Sequence, residues 1–141
     1  MPLLDKLLIV AMAAQVLLTL GVLFWLGSER VPRVMSGEIA VKDIAVERIG
    51  YPLRARLLSN NFDNQFQLPV LFYVAGLLIL ILGGPNWLEV GLAWLFVVLR
   101  YAHTGIHVTT NRVHRRFVVY TTGLAVLALL WIVLLIRLLL V

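Results

Sequence analysis

Residues 7–26 read LLIVAMAAQVLLTLGVLFWL, an apolar run without a single charge. A helix rises about 1.5 Å per residue, so such a run just spans the roughly 30 Å hydrocarbon core of a bilayer. Ala11-Met12-Ala13 has the small-residue pattern of a signal-peptide cleavage site, and Lys6 precedes it. The apolar run nevertheless continues unbroken far past that point, so it is expected to remain as a membrane span and not to be removed. Three further runs follow at 66–82, 87–108 and 117–136, the third continuing in helical pattern through Arg100. Backbone amides have no water to bond inside lipid, so each run should be helical. The expected fold is therefore all-α, with residues 1–141 forming a single integral membrane domain, an up-down four-helix bundle.

Composition agrees. Hydrophobic residues make up 62% of the chain and charged residues only 13%, far outside the range of soluble domains. The net charge of +5 does not point to nucleic acid, because the basic residues flank apolar runs, where they set membrane orientation. The chain has no cysteine, so any sulfur chemistry needs a thiol supplied by a ligand.

The connections set the topology. Gly83-Gly84-Pro85-Asn86 is a turn short enough to demand an antiparallel hairpin between the second and third spans, and a short basic link around Asn111 joins the third to the fourth. From Pro52 onward no breaker interrupts residues 53–64, so the second helix should start outside the bilayer and enter it near Phe66. Pro69 then falls inside that helix and predicts a kink, with the Gln65 carbonyl lacking its usual donor. Arg30, Arg33, Lys42, Arg48, Arg54 and Arg56 in loop 1, with Arg112, Arg115 and Arg116 in loop 3, stand against Lys6 and Arg137 on the other side. By the positive-inside rule loops 1 and 3 are cytoplasmic and both termini lie opposite.

Polar residues gather at that same end. Asn60, Asn64 and Gln67 stand at i, i+4 and i+7 on the second helix, with Asp63 on their flank. Arg100, His103 and His107 stand at i, i+3 and i+7 on the third, and Arg116 and Tyr120 at i and i+4 on the fourth. If these faces point inward, they make a basic pocket open to the cytoplasm. Plainer readings stand beside this one. Arg112 and Arg115 can anchor in anionic headgroups, and Asn64 and Gln67 can be interhelical hydrogen-bond glue. His103 and His107 can pair with neighbouring helices, and as a metal site they lack a third ligand on their own helix, so no metal is expected. Arg100 is harder to explain structurally. It lies roughly 13 Å inside the link at about 1.5 Å per residue, where a cation costs about 2.5 to 3.5 kcal/mol unless it finds an anionic partner. Glu89 is too far along the helix and Asp63 alone cannot balance Arg100 and Arg116, so an anionic ligand is expected.

Residues 64–73, Asn64-Gln65-Phe66-Gln67-Leu68-Pro69-Val70-Leu71-Phe72-Tyr73, resemble the second-helix motif of the MAPEG family, the membrane-associated proteins of eicosanoid and glutathione metabolism. In that motif an asparagine is followed three residues later by an acid and then by an apolar run with proline. Arg100-Tyr101-Ala102-His103-Thr104, with His107, Arg116 and Tyr120, is similar in residue type and spacing to the third and fourth helices of the family's prostaglandin synthase branch. The resemblance implies a homotrimer with glutathione held between subunits, in a site lined by Asn64, Gln67, Arg100, His103, His107, Arg116 and Tyr120. It gives Arg116 the task of holding the thiolate, and it suggests Arg30 or Arg33 as the basic residue beyond the first helix. Physics supports the Arg116 role, since a free thiol titrates near about 8.5 and each unit of depression is about 1.36 kcal/mol of thiolate stabilisation. There are departures. Gln67 stands where glutathione-using members carry an acid, Asn60 and Asp63 where the synthase branch has arginines, His107 in place of a tyrosine and Phe117 in place of a serine.

The leading expectation is a glutathione-dependent transferase or peroxidase acting on a small lipophilic substrate from the lipid bilayer. The alternative is a non-catalytic helix-bundle module whose polar cluster serves assembly or partner docking. A proton or ion pathway through His103 and His107 would need polar residues in the far half of the bundle, where only Glu89, Gln15 and Thr19 are available.

Overall fold

A computed structural model describes residues 1–140. The elements are α1 (Leu3–Met35), a short 3-10 turn (Val41–Ile44), α2 (Leu53–Asn64), α3 (Leu68–Ile81), α4 (Trp87–Val108) and α5 (Val113–Leu140). On α1 the buried positions Leu8, Ala11, Gln15, Leu18, Val22 and Leu26 recur every three or four residues, the signature of one stripe facing a bundle. Gly83 and Gly84 both adopt positive φ, +102° and +89°, which a two-glycine reversal supplies without strain. Asn86 then starts α4 with a capping box, its Oδ1 accepting from Glu89 N at 2.9 Å and its own N–H donating to Glu89 Oε2 at 2.9 Å.

α4 is the central element, packed against α1, α2 and α5, while α3 packs on α1 and α5. The core joins Leu8 and Ala11 of α1, Phe72, Ala75 and Ile79 of α3, Ala93 and Phe96 of α4, and Leu127, Leu130 and Leu134 of α5. Phe72 and Phe96 stack with ring centroids 4.9 Å apart. Small residues let backbones approach, as membrane bundles require: a Cβ on Gly76 would come within 2.7 Å of Met12 Sδ.

Large apolar side chains such as Phe24, Phe66, Ile81, Ile132 and Leu139 lie on the outside, whereas Gln15, Asn61, Gln65, Glu89, Arg100, His103 and His107 are buried. α1, the α2–α3 rod and α5 are each long and apolar enough to cross a membrane. α4 has 22 residues, about 33 Å at 1.5 Å each, and turns its polar residues inward. This is a multi-pass integral membrane protein built as a helix bundle.

The second helix differs from its expected form. It does not kink at Pro69; it breaks over residues 65–67, with Gln67 at φ −99° and ψ −104°, and Pro69 sits in the first turn of the new helix α3. Proline fits there because it has no N–H to leave unpaired. α1 and α5 extend past their apolar runs at both ends, since helical pattern continues beyond the lipid-length stretch. On the far side, buried Glu89 pairs with Arg137, Nη1 to Oε2 at 2.9 Å, and Arg137 Nη1 also donates to Gly84 O at 2.7 Å.

Candidate functional site

At the end of the bundle carrying loops 1 and 3, a cavity of about 470 Å³ opens between α2, α4 and α5. Asn60 and Asn64, at i and i+4, reach it from one face of α2 with Asp63 beside them, and Gln67 reaches it from the break. His103 and His107 face it from α4, and Val113, Arg116, Phe117 and Tyr120 from α5. Of the residues singled out from the sequence, Asn64, Gln67, His103, His107, Arg116 and Tyr120 are thus brought together.

Arg100 is not in the lining. It is 1% exposed, its Nη2 donates to Asn64 O at 3.0 Å, and its guanidinium carbon stands 6.0 Å from the centre of the Tyr120 ring. Its Nε and Nη1 have no partner. Arg30 is elsewhere too, lying over the Tyr51 ring at 4.3 Å, while Arg33 pairs with Glu29 at 2.9 Å.

Arg116 Nη1 donates to Asn111 Oδ1 at 2.7 Å, and Asn111 holds the α4–α5 link in the left-handed region at φ 45°, a conformation asparagine tolerates. Among the described residues no carboxylate forms an ion pair with Arg100 or Arg116. Asp63 is taken by loop 1: Arg48 Nη1 and Nη2 donate to its two carboxylate oxygens at 2.6 and 3.2 Å. That hydrogen bond holds the Arg48 guanidinium above its usual pKa, against a smaller opposing effect of burial. Tyr120 Oη donates to Gln67 Oε1 at 3.5 Å across the cavity. His103 and His107 meet edge to face at 5.6 Å, and no group of three metal-type ligands converges among the described residues.

Behind His107 runs a buried polar chain that sequence reasoning missed. Gln15 Nε2 donates to Gln65 Oε1 at 3.0 Å. Gln65 Nε2 donates to Asn61 Oδ1 at 2.9 Å and Thr104 Oγ1 at 3.2 Å, and Asn61 Nδ2 lies 3.3 Å from His107 Nδ1. The one available signal was Gln15, an amide in the middle of an apolar span, which has to find a polar partner inside the protein.

The MAPEG family model matches residues 8–136 of the 141-residue chain. The chain belongs to the MAPEG family. No curated protein and no solved structure matches it in the corresponding comparisons. Members of this family take part in eicosanoid and glutathione metabolism and generally use glutathione.

Proposed function

We propose that the chain binds glutathione, or a closely similar anionic thiol, in the cavity and directs its sulfur at an electrophilic carbon or a peroxide oxygen of a small lipophilic substrate arriving from the bilayer. Arg116 is the residue that stabilises the thiolate. The observation that carries this reading is a cavity of about 470 Å³ flanked by two arginines that no carboxylate among the described residues neutralises. Its size falls in the range of about 300 to 1,000 Å³ of small-molecule sites. A purely structural bundle would be better served by closing the space and pairing both cations, because a buried cation without an anion is costly.

Asn64, Gln67, His103, His107 and Tyr120 would make the polar contacts to such a ligand. Arg100 would act from beneath, where its unpaired Nη1 and Nε favour an anion at the cavity floor. The ligand's ammonium is the less well-served end. It finds the amide of Gln67, or Asp63 if Arg48 gives way. The family reading carries a homotrimer with it, and Arg30 would join the site only from a neighbouring subunit or by leaving Tyr51. The charge bias puts loops 1 and 3, and with them the cavity mouth, on the cytoplasmic side.

The test is a thermal shift of the detergent-solubilised protein with and without glutathione, paired with turnover of a nitroaryl halide. Ligand at about 100 times its Kd should stabilise the fold by about 2.7 kcal/mol. Neither shift nor turnover would return the chain to the non-catalytic module.

A further inference from the structure

The buried chain behind His107 has a direction, and that direction decides what His107 offers the cavity. Gln15 Nε2 donates to Gln65 Oε1, Gln65 Nε2 donates to Asn61 Oδ1, and Thr104 Oγ1 also donates to Asn61 Oδ1. With its oxygen occupied twice, Asn61 has only its Nδ2 to turn toward His107 Nδ1. Reversing every amide would keep the same heavy-atom contacts, since oxygen and nitrogen of an amide differ only by the network they complete. The two directions are not equivalent. In the first, the atom at the buried end is Gln15 Oε1, which no donor reaches; in the second the Gln15 nitrogen would take that enclosed place with two N–H groups to satisfy. An under-satisfied oxygen is tolerated better than orphaned donors, which favours the first direction. An amide NH₂ only donates. In that direction His107 Nδ1 accepts, and the ring proton belongs on Nε2.

His107 lines the cavity, and its Nε2 has no partner among the described residues and is not among the enclosed unpaired atoms. It opens on the cavity, whose charged groups are Arg116 from α5 and Asp63 from α2, with Arg100 of α4 beneath.

We propose that Asn61 is a positioning residue that fixes His107 in its Nε2–H tautomer, so that His107 presents a neutral N–H donor which, with Arg116, selects a hydrogen-bond acceptor on an anionic ligand. The acceptor is a thiolate sulfur or a carboxylate oxygen; an ammonium is turned away from this corner. Only the identity of the ligand rests on the function proposed above; the tautomer does not.

Full-length protein labelled with ring-¹⁵N histidine in lipid nanodiscs reads the tautomer directly, because protonated and unprotonated ring nitrogens resonate far apart. The chain has three histidines, and His107→Gln assigns the signal. Ligand-free parent protein near neutral pH should show His107 protonated on Nε2 alone; a proton on Nδ1, or on both nitrogens, overturns the inference. Asn61→Leu, which removes the donor, should let both tautomers appear, and Asn61→Asp should draw a proton to Nδ1. A spectrum unchanged in both variants removes the positioning role.

Added glutathione should shift the Nε2 signal. A response to glutathione but not to S-methylglutathione assigns the acceptor to the thiolate, and a response to both assigns it to a carboxylate. Glutathione that binds without moving the signal overturns the donor role, and Asn61→Leu should bind it about fivefold more weakly, the worth of one hydrogen bond. If the parent binds no glutathione at all, the proposed function falls, while the ligand-free spectrum still decides the tautomer.

Discussion

Replacing Arg116 by alanine removes one cation from the cavity together with a single hydrogen bond, to Asn111 at 2.7 Å. The residue lies in the first turn of α5, at a mouth where water can replace that bond, so folding should lose no more than about 1 kcal/mol. The effect on a bound thiol is larger. A thiolate about 4 Å from a guanidinium gains about 4 kcal/mol at an effective dielectric near 20. Solvent in the open cavity reduces that to about 2.7 kcal/mol, or about two pKa units. Bound glutathione should then titrate near about 6.5 in the parent and near about 8.5 in Arg116→Ala.

The sign follows from the depressed value. The parent's advantage is present below the free-thiol pKa and disappears as pH rises through it. At about pH 6.5 half of the bound thiol is ionised in the parent and about 1% in the variant, so conjugation should be roughly 50-fold slower, with the two rates converging above about pH 9. The assay is the initial rate of nitroaryl halide conjugation at saturating glutathione across that range, with size-exclusion chromatography to show that assembly is unchanged. Superimposable pH–rate profiles would refute the thiolate role of Arg116. Arg100→Ala serves as the contrast. It strips the donor from Asn64 O inside the bundle, so ligand binding and assembly should fall together and not rate alone.

Gln67→Glu should tighten glutathione about fivefold, close to 1 kcal/mol, because a charged acceptor roughly doubles the strength of a hydrogen bond to an ammonium; unchanged or weaker binding by titration calorimetry would exclude that docking pose. Glu89→Ala should destabilise the fold by about 3 kcal/mol, since it leaves Arg137 without its anion and the Asn86 N–H without its side-chain acceptor. In thermal melts Glu89→Leu with Arg137→Leu should recover most of that loss; failure to recover would place the energy in the cap and not in the charge pair. For orientation, the cysteine-free chain allows single cysteines at Lys6 and Glu38, which should react with an impermeant reagent from opposite sides of the membrane. Labelling of both from one side would reject the assigned topology.

The start of the third helix was legible, and α4 begins at Trp87, because glycine pair, proline and capping asparagine punctuate it in the sequence. α1 was legible in existence but not in length, since nothing in an apolar run says whether helix continues beyond the lipid. Pro69 was read as a kink because a proline inside a breaker-free pattern usually kinks, and the same residue serves equally well in the first turn of a fresh helix. Spacing placed Asn64, Gln67, His103, His107, Arg116 and Tyr120 on common faces, and the cavity lies between those faces. It could not show that Arg100 would sink below the cavity or that Arg30 would lie on Tyr51, because depth and loop packing depend on neighbours. Asn61 and Gln65 went unread for a similar reason: Asn61 lies on the face of α2 turned to α4 and Gln65 just past the end of α2 turned to α1 and α4, and one helix alone does not say which polar face is buried.

The break at residues 65–67 links these observations. In an unbroken helix the Asn64 carbonyl would accept from the N–H of residue 68, and the Gln65 carbonyl would wait for a donor that Pro69 lacks. Ending α2 at Asn64 releases that carbonyl, and Arg100 Nη2 takes it at 3.0 Å. A backbone oxygen carries a dipole but no charge, so it anchors the guanidinium without neutralising it. The same break lets Gln65 reach inward to Gln15, Asn61 and Thr104 while Gln67 faces the cavity and receives Tyr120. One local consequence of a proline thus fixes a cation beneath the cavity and leaves its charge for whatever enters, and it completes the polar chain that orients His107. A continuous helix would return Asn64 to its ladder and leave Arg100 buried with no acceptor, so the discontinuity belongs to the site as much as to the fold.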